Sequence, residues 1–201
     1  MDIADCISYS NKSRIEAETL TTNGPFDNKT RLVIVAAFLD LALEYHEAIM
    51  FLLESKFPGA AFALVRALFE AVWRGHWMMK VASEEQVEQL RVGTLKFPKF
   101  NDLVDQIDIA CATDGLYAQF KGDVWKAMND YTHGGTKHLS KRLSKDRIKA
   151  NYPEGEIKEM VYNTTIGSLL FCGFFCGAVG KANEREEIHG LMATYQGQVS
   201  I

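Results

Sequence analysis

Two long stretches of mostly apolar residues, separated by Phe57-Pro58-Gly59, constrain the fold of this 201-residue chain more than any other feature. The first stretch runs from about residue 28 to 55, and the second from about residue 60 to 81. Adjacent proline and glycine mark a turn, so each stretch predicts one long helix. The two helices are therefore expected to lie antiparallel as a hairpin.

The rest of the chain favours helices as well. Only 4 prolines occur in it, and no segment alternates apolar and polar residues as a half-buried strand would. Helical periodicity predicts further helices at about 84–92, 100–112, 116–132, 156–182 and 184–195. Residues 1–27 are polar, which predicts an N-terminal tail with at most a short helix. The predicted class is an all-α helical bundle built on a long antiparallel helix hairpin, with residues 28–201 as its single domain.

Composition narrows the classes of protein to which the chain can belong. It carries 22 basic and 26 acidic residues, a net charge of −4, which argues against a globally basic nucleic-acid binder. Its 4 cysteines form no Cys-x-x-Cys pair, so we predict no metal site and no cofactor. Free thiols and a first segment unlike a signal peptide indicate a cytoplasmic protein. Residues 166–179 are apolar but short for a membrane span, so no membrane association is expected.

Arg66, Glu70 and Arg74 are the first candidate site and are called here the Arg–Glu–Arg cluster. Their spacing of four places them on one face of the second long helix. Symmetry about the turn sets an acidic stripe of the first helix opposite them: Asp40, Glu44 and Glu47. We therefore expect Arg66 and Arg74 to contact carboxylates from these residues or from Glu70. Two interpretations stay open, a ladder of mostly buried ion pairs that fixes the register of the hairpin or a polar cleft that serves function.

Trp125, Asn129 and His133 repeat the spacing of four on a later helix, which ends with Tyr131 to Gly135. An imidazole exchanges a proton near neutral pH, and paired glycines let a ligand approach closely. The alternative is an ordinary helix C-terminus, with His in the last turn and Gly after it. Facing polar stripes satisfy one another, so we expect His133 and Asn129 to meet the Arg–Glu–Arg cluster, with the imidazole within about 12 Å of an arginine.

A basic segment follows, from Lys137 to Lys149. It is the part of this acidic chain that suits phosphate groups best, and Lys141 and Arg142 are its candidate binding residues. No aromatic residue interrupts it, so base stacking is not predicted there. A solvated surface segment is the alternative.

Glycines at 173, 177 and 180 allow close helix contact, within the bundle or across a homodimer. The apolar surface of the first long helix and of residues 166–179 exceeds what one bundle readily hides. We therefore expect a homodimer that uses one of these two helices.

Two blocks, Ala61 to Gly75 and Tyr131 to Gly135, resemble a bacterial helical family of unknown function. More distantly the pattern is similar to the HEPN superfamily of helical bundles. That resemblance implies a metal-independent ribonuclease of a defence or toxin–antitoxin system, acting as a dimer. Its signature has an Arg a few residues before a His. Here no Arg precedes His133 at that spacing, so Arg66 or Arg74 would supply the charge from the neighbouring helix.

Two functions of different classes follow from these patterns. In a HEPN-like ribonuclease, His133 would transfer a proton and Arg66 or Arg74 would stabilise charge on phosphorus, while Asn129 orients the imidazole or the phosphate. In a non-catalytic binding module, the same polar cleft would hold a small ligand or a protein partner. The remaining candidate binding residues serve either function: Glu70, Trp125, Tyr131, Lys141 and Arg142.

Overall fold

The computed structural model describes residues 1–24, 29–143 and 147–199, without the side chains of residues 116, 123 and 124. These residues form α-helices and no β-strand, which confirms the predicted all-α bundle. In chain order the helices are α1 (Ile3–Thr22), α2 (Thr30–Glu54), α3 (Pro58–Lys80), α4 (Glu84–Arg91), α5 (Phe100–Cys111), α6 (Leu116–Thr132), α7 (Thr136–Ser140), α8 (Glu154–Ala178) and α9 (Ala182–Gln198). One hydrophobic core runs through them, from Cys6 on α1 to Val199 after α9.

The helices α2 and α3 form the predicted hairpin. Lys56 in the turn has a left-handed backbone with φ of 66°, and the Phe57 amide donates to the Leu52 carbonyl at 2.7 Å. Pro58 takes the first position of α3, where its missing amide hydrogen costs no helical hydrogen bond. The apolar faces of both helices meet along their length, and the opposite side of α3 packs on α5, α6 and α8.

The predicted N-terminal tail is wrong over most of its length, because Ile3–Thr22 form the helix α1. A capping box begins the helix, with the Asp2 carboxylate accepting from the Asp5 amide at 2.8 Å. Its buried face packs on α8 and includes small or polar residues such as Ser10 and Ala17. Hydrophobic periodicity did not predict α1, because no row of large apolar side chains lies along its buried face. Residues 25–27 of the predicted tail lie outside the described residues.

A buried polar network joins α1, α2 and α8. His46 is fully enclosed, its Nε2 lying 2.8 Å from Ser10 Oγ and its Nδ1 2.9 Å from Ser168 Oγ. Thr165 Oγ1 completes the network at 2.6 Å from Ser10 Oγ. Burial lowers the pKa of His46 to about 3, and the charge of Arg14 contributes to the shift. The folded protein therefore keeps a neutral imidazole in its core, where it connects three helices.

Glycines allow α8 to approach its neighbours closely. A Cβ on Gly75 of α3 would collide with the ring of Phe171, and a Cβ on Gly167 would lie 2.7 Å from Phe69 Cε1. Gly177 faces α9, where a Cβ would lie 3.2 Å from Arg185 Cδ. Gly167 and Gly177 thus serve packing inside the bundle, one of the two arrangements expected from the sequence, whereas Gly180 lies after the end of α8 with nothing within 4 Å of an added Cβ.

The helix α8 is long and apolar enough to cross a membrane by length and composition, and it alone among the described helices meets that test. In the 18-residue apolar stretch of α8 that meets this test, 67% of the residues are buried inside the bundle. That degree of burial is what a central core helix shows.

Candidate functional site

Glu70 holds both arginines of the Arg–Glu–Arg cluster. Its Oε1 accepts from Arg66 Nε at 2.8 Å, and its Oε2 lies 2.8 Å from Arg74 Nη2. The side chains of Arg66, Glu70 and Arg74 are 24%, 18% and 37% exposed, so all three are mostly buried, as expected. The expected contact of both arginines with a carboxylate is therefore confirmed, with Glu70 as the partner. The expected ladder to α2 is wrong: among the described residues no ion pair joins these arginines to α2. A single carboxylate one turn from each guanidinium serves both instead.

Aromatic rings support the two guanidinium groups. The Cζ of Arg66 lies 5.0 Å from the centre of the Trp125 ring, and that of Arg74 lies 5.1 Å from the centre of the Phe97 ring. The Trp125 ring stacks in turn on Phe100, with centres 3.9 Å apart and planes 6° apart. Cation–π contact of this kind holds a guanidinium in place and leaves its edge free for an anion.

His133 lies against Arg66, with Nε2 at 2.6 Å from Arg66 Nη1. A guanidinium only donates hydrogen bonds, so the imidazole Nε2 accepts and the ring in this arrangement is neutral. His133 caps the C-terminus of α6 and is exposed. The hydroxyl of Thr132 donates to the Ala63 carbonyl at 3.1 Å, which fixes this end of α6 on α3. The predicted approach of His133 to an arginine is therefore confirmed.

Asn129 lies between Trp125 and His133 on the same face of α6, one turn from each. Its Oδ1 is enclosed and accepts no hydrogen bond within the described part of the chain, and the same holds for the enclosed Nε of Arg74 as a donor. Buried polar atoms are normally paired. Asn129 Oδ1 is therefore an unmet acceptor on α6, and Arg74 Nε is an unmet donor on α3.

Tyr131 and Lys141, both predicted to bind a ligand, belong to a different cluster. Tyr131 is buried, and its hydroxyl donates to Glu156 Oε2 at 3.3 Å, while Lys141 Nζ lies 2.6 Å from Glu156 Oε1. Burial, aided by the charge of Glu156, raises the pKa of Tyr131 well above its ordinary range. Tyr131 and His133 are two positions apart in the chain, which turns their side chains to different sides of α6.

A cavity of about 160 Å³ opens beside Tyr131, between α3, α6 and α8. Its walls are mostly apolar and include Phe62, Phe69 and Phe120, and its polar lining includes Glu159. This cavity could not be predicted from the sequence, because most of its lining comes from three helices that are far apart in the chain.

The basic segment does not act as one surface. Lys141 is engaged by Glu156, whereas Arg142 lies at the first turn of α3 beside Gly59. Arg147 and Lys149 are exposed, and Lys145 lies outside the described residues. Of the two predicted phosphate-binding residues, only Arg142 has its charge available.

Sequence reasoning also missed the aromatic supports Phe97 and Phe100. Phe97 lies in a segment interpreted only as a loop, and Phe100 is the first residue of α5, where the predicted helix also begins. The signal that was available is their position beside Lys96 and Lys99, since aromatic and basic residues that alternate are typical of surfaces that bind nucleic acid.

Fold and site together define an all-α bundle that carries a half-buried Arg–Glu–Arg cluster beside an exposed imidazole. Within the described ranges, no group of three or more His, Cys, Asp or Glu side chains is arranged to hold a metal ion. The chain belongs to a family of unknown function, DUF6988, which matches residues 39–201 and so begins within α2. No curated protein and no solved structure matches the chain.

Proposed function

We propose that this protein is a metal-independent ribonuclease whose site is formed by Arg66 and His133. The observation that carries the proposal is the 2.6 Å contact between Arg66 Nη1 and His133 Nε2. Cleavage of a phosphodiester needs a group that moves a proton and a cation that stabilises charge on phosphorus. The contact also supports the distant HEPN resemblance, because α3 brings an arginine to the histidine that lacks one in its own helix.

The proposed reaction uses the 2′-hydroxyl of RNA as nucleophile. Arg66 moves from His133 to a non-bridging phosphate oxygen, which frees Nε2 to take the 2′-hydroxyl proton. The 2′-oxygen then bonds to phosphorus as the bond from phosphorus to the 5′-oxygen breaks. The leaving oxygen takes a proton from the His133 imidazolium or from water. The products are a 2′,3′-cyclic phosphate and a 5′-hydroxyl, and no oxidant or further reactant is needed.

Glu70 acts in this scheme as a positioning residue. It binds both guanidinium groups at 2.8 Å and leaves the Arg–Glu–Arg cluster with one net positive charge. Arg74 contributes that remaining charge to the same phosphate, and the enclosed amide of Asn129 orients the phosphate or the imidazole. The Trp125 ring, whose centre lies 5.0 Å from Arg66 Cζ, holds the guanidinium in position to bind the phosphate.

A non-catalytic binding module is the second candidate, and one observation favours it. His133 Nε2 already accepts from Arg66, so the base is engaged until a ligand displaces the guanidinium. If the pair never separates, the site holds an anionic group of a small ligand or of a protein partner without reacting with it.

The test is incubation of the purified protein with a labelled single-stranded RNA, in wild-type form and as His133→Ala. The control is His189→Ala, which removes another exposed histidine, on α9. We expect the wild type and His189→Ala to cleave RNA to 2′,3′-cyclic phosphate ends, and His133→Ala to lose at least about a hundredfold in rate.

The same experiment separates the two candidates if RNA binding is measured alongside by fluorescence anisotropy. Binding without cleavage supports the binding module and overturns the ribonuclease. Equal cleavage by wild type and His133→Ala shows that the activity does not belong to this site.

All 4 cysteines are free thiols, and three of them are buried. Proteins with unpaired cysteines are typical of reducing compartments, so we also propose a cytoplasmic location, where RNA is available as substrate.

A further inference from the structure

The geometry points to a second phosphate-binding site, formed by Arg142, His138 and Tyr152 around Gly59. This inference rests on the proposed function, since it takes the ligand to be a strand of RNA. It adds that the substrate is an oligonucleotide held through at least two phosphates, one at the Arg66–His133 pair and one at this second site.

Three polar groups converge on Gly59, which is buried in the first turn of α3. A Cβ on this glycine would lie 2.6 Å from Arg142 Nη2, 2.9 Å from Tyr152 Oη and 3.1 Å from His138 Nε2. The three atoms therefore lie close together over the glycine backbone, and a Cβ there would displace the Arg142 guanidinium and crowd the Tyr152 hydroxyl. His138 Nδ1 lies 2.7 Å from the Tyr131 carbonyl oxygen, which orients the ring with Nε2 toward the cluster.

The cluster around Gly59 has positive charge and an unused hydroxyl. Arg142 is exposed and has no acidic partner within the described ranges. The enclosed hydroxyl of Tyr152 makes no hydrogen bond of ordinary geometry there. Burial raises the pKa of Tyr152, and the adjacent Arg142 guanidinium opposes that rise. The guanidinium and the hydroxyl therefore lie next to each other. A phosphate accepts from both groups, and from His138 when its imidazole is protonated.

The nearby carboxylates leave this charge uncompensated. Asp130 accepts from the backbone amide of His138 at 2.7 Å, on the side of α7 that faces α6. Glu156 is bound by Lys141 at 2.6 Å and by the hydroxyl of Tyr131. As far as the described residues go, the open side of Arg142 is therefore left to an anion from outside the chain.

The two sites lie on one face of the protein. Gly59 and Arg66 are seven residues apart on α3, close to two full turns, or roughly 10 Å along the helix axis. The chain from the end of α6 through α7 runs beside this face, with Thr132 bonded to Ala63 and His133 to Arg66. A single phosphate group cannot reach both sites, whereas successive phosphates of a strand can.

The test compares the binding of two uncleavable 2′-O-methyl oligonucleotides, a dinucleotide and a tetranucleotide, by fluorescence anisotropy. We expect the wild type to bind the tetranucleotide about tenfold more tightly, the contribution of one added charge-assisted hydrogen-bond site. Arg142→Gln should remove this gain and leave dinucleotide binding unchanged. Gly59→Ala should do the same, because its methyl group displaces Arg142 and Tyr152 while alanine remains a good helix former.

The matched control is Arg147→Gln, which removes an exposed arginine from the same basic segment. It should keep the gain with length, whereas a loss equal to that of Arg142→Gln would overturn the second site in favour of diffuse charge. Equal wild-type affinity for both lengths also overturns it, and the proposed ribonuclease survives if RNA is still cleaved. A gain that Arg142→Gln abolishes, without any RNA cleavage by the wild type, supports the second site and overturns the ribonuclease.

Discussion

Glu70 lies between two guanidinium groups on its own helix. Residue spacing predicts such contacts within one helix but not contacts with a neighbouring helix. Spacing of four predicted that Arg66, Glu70 and Arg74 share one face of α3, and each ion pair follows directly from that geometry. Partners on another helix depend on how that helix is rotated, which symmetry about a turn does not determine. The acidic stripe of α2 faces solvent instead: Asp40, Glu44 and Glu47 are all exposed.

Replacing Glu70 with glutamine leaves two guanidinium groups without their carboxylate. We expect the free energy of unfolding to fall by about 1–2 kcal/mol, between the values for exposed and buried ion pairs, because the three side chains are only partly exposed. Urea unfolding measures the change. Glu44→Gln is the control and should stay within about 0.5 kcal/mol of the wild type. Equal losses in the two variants would contradict this account of the cluster.

The approach of His133 to Arg66 was predictable because His133 belongs to a polar stripe at a helix end, and such a stripe is satisfied by the one on α3. Tyr131 and Lys141 were not predictable in the same way. Their partner, Glu156, lies on α8, and sequence spacing within a helix carries no information on a third helix. Arg142 was selected for its charge alone, and its partners at Gly59 appear only once α7 is placed beside α3.

At the scale of elements, the helices with a long apolar face were predicted, whereas α1, which lacks such a face, and the five-residue α7 were missed. The hairpin of α2 and α3 follows from two long apolar stretches and one turn. The helix α1 buries a polar network around His46 instead, and polar residues in a sequence ordinarily indicate exposure. A helix that packs through hydrogen bonds instead of apolar side chains therefore cannot be predicted from hydrophobic periodicity.

The contact between α3 and α8 gives an element-scale prediction. Gly75→Ala places a methyl group inside the Phe171 ring, so one helix must shift. We expect a loss of about 1–3 kcal/mol in the free energy of unfolding, as for other overpacked cores. Gly122→Ala on α6 is the matched control, because nothing lies within 4 Å of its added Cβ and alanine favours a helix. Thermal and urea unfolding should rank Gly75→Ala below the wild type and Gly122→Ala at or above it.

Because His46 is neutral in the folded protein, the stability of the packing between α1, α2 and α8 depends on pH. Its pKa is about 3 in the folded protein and 6.5 ordinarily, so the unfolded chain binds the extra proton between these values. Stability is therefore full above pH 6.5 and falls by roughly 1.4 kcal/mol per pH unit as the pH drops below it.

The variant His46→Gln, which keeps donors and acceptors but cannot titrate, should lose this part of the pH dependence in urea unfolding between pH 7 and about pH 5. His76, whose pKa burial lowers to about 4, is present in both proteins and cancels in the comparison. Identical pH profiles for the two proteins would show that the imidazole is not held neutral.

At the scale of the whole molecule, the homodimer stays a prediction. The helix α8 is largely covered, since it packs on α1 and α9 as well as on the hairpin, whereas α2 keeps exposed apolar side chains at Val33 and Phe51. The most exposed apolar side chains near the proposed site lie in and after α7: Leu139, Leu143 and Ile148.

Ile148 is 85% exposed. We expect sedimentation velocity at micromolar concentration to show a dimer for the wild type and a monomer for Ile148→Asp. Buried charge at an interface opposes association. Val33→Asp, on the exposed face of α2, is the control and should remain dimeric. A wild-type monomer at that concentration would contradict the dimer altogether.

The most direct test of the central claim, that Arg66 and His133 form one site for RNA cleavage, is a double-mutant cycle on kcat/KM for a ribodinucleotide. Arg66→Ala and His133→Ala should each lower kcat/KM by about a hundredfold or more. Residues that act as a unit are not additive, so the double variant should be little worse than either single variant. Losses that multiply in the double variant, or a wild type that leaves the phosphodiester intact, would contradict the account.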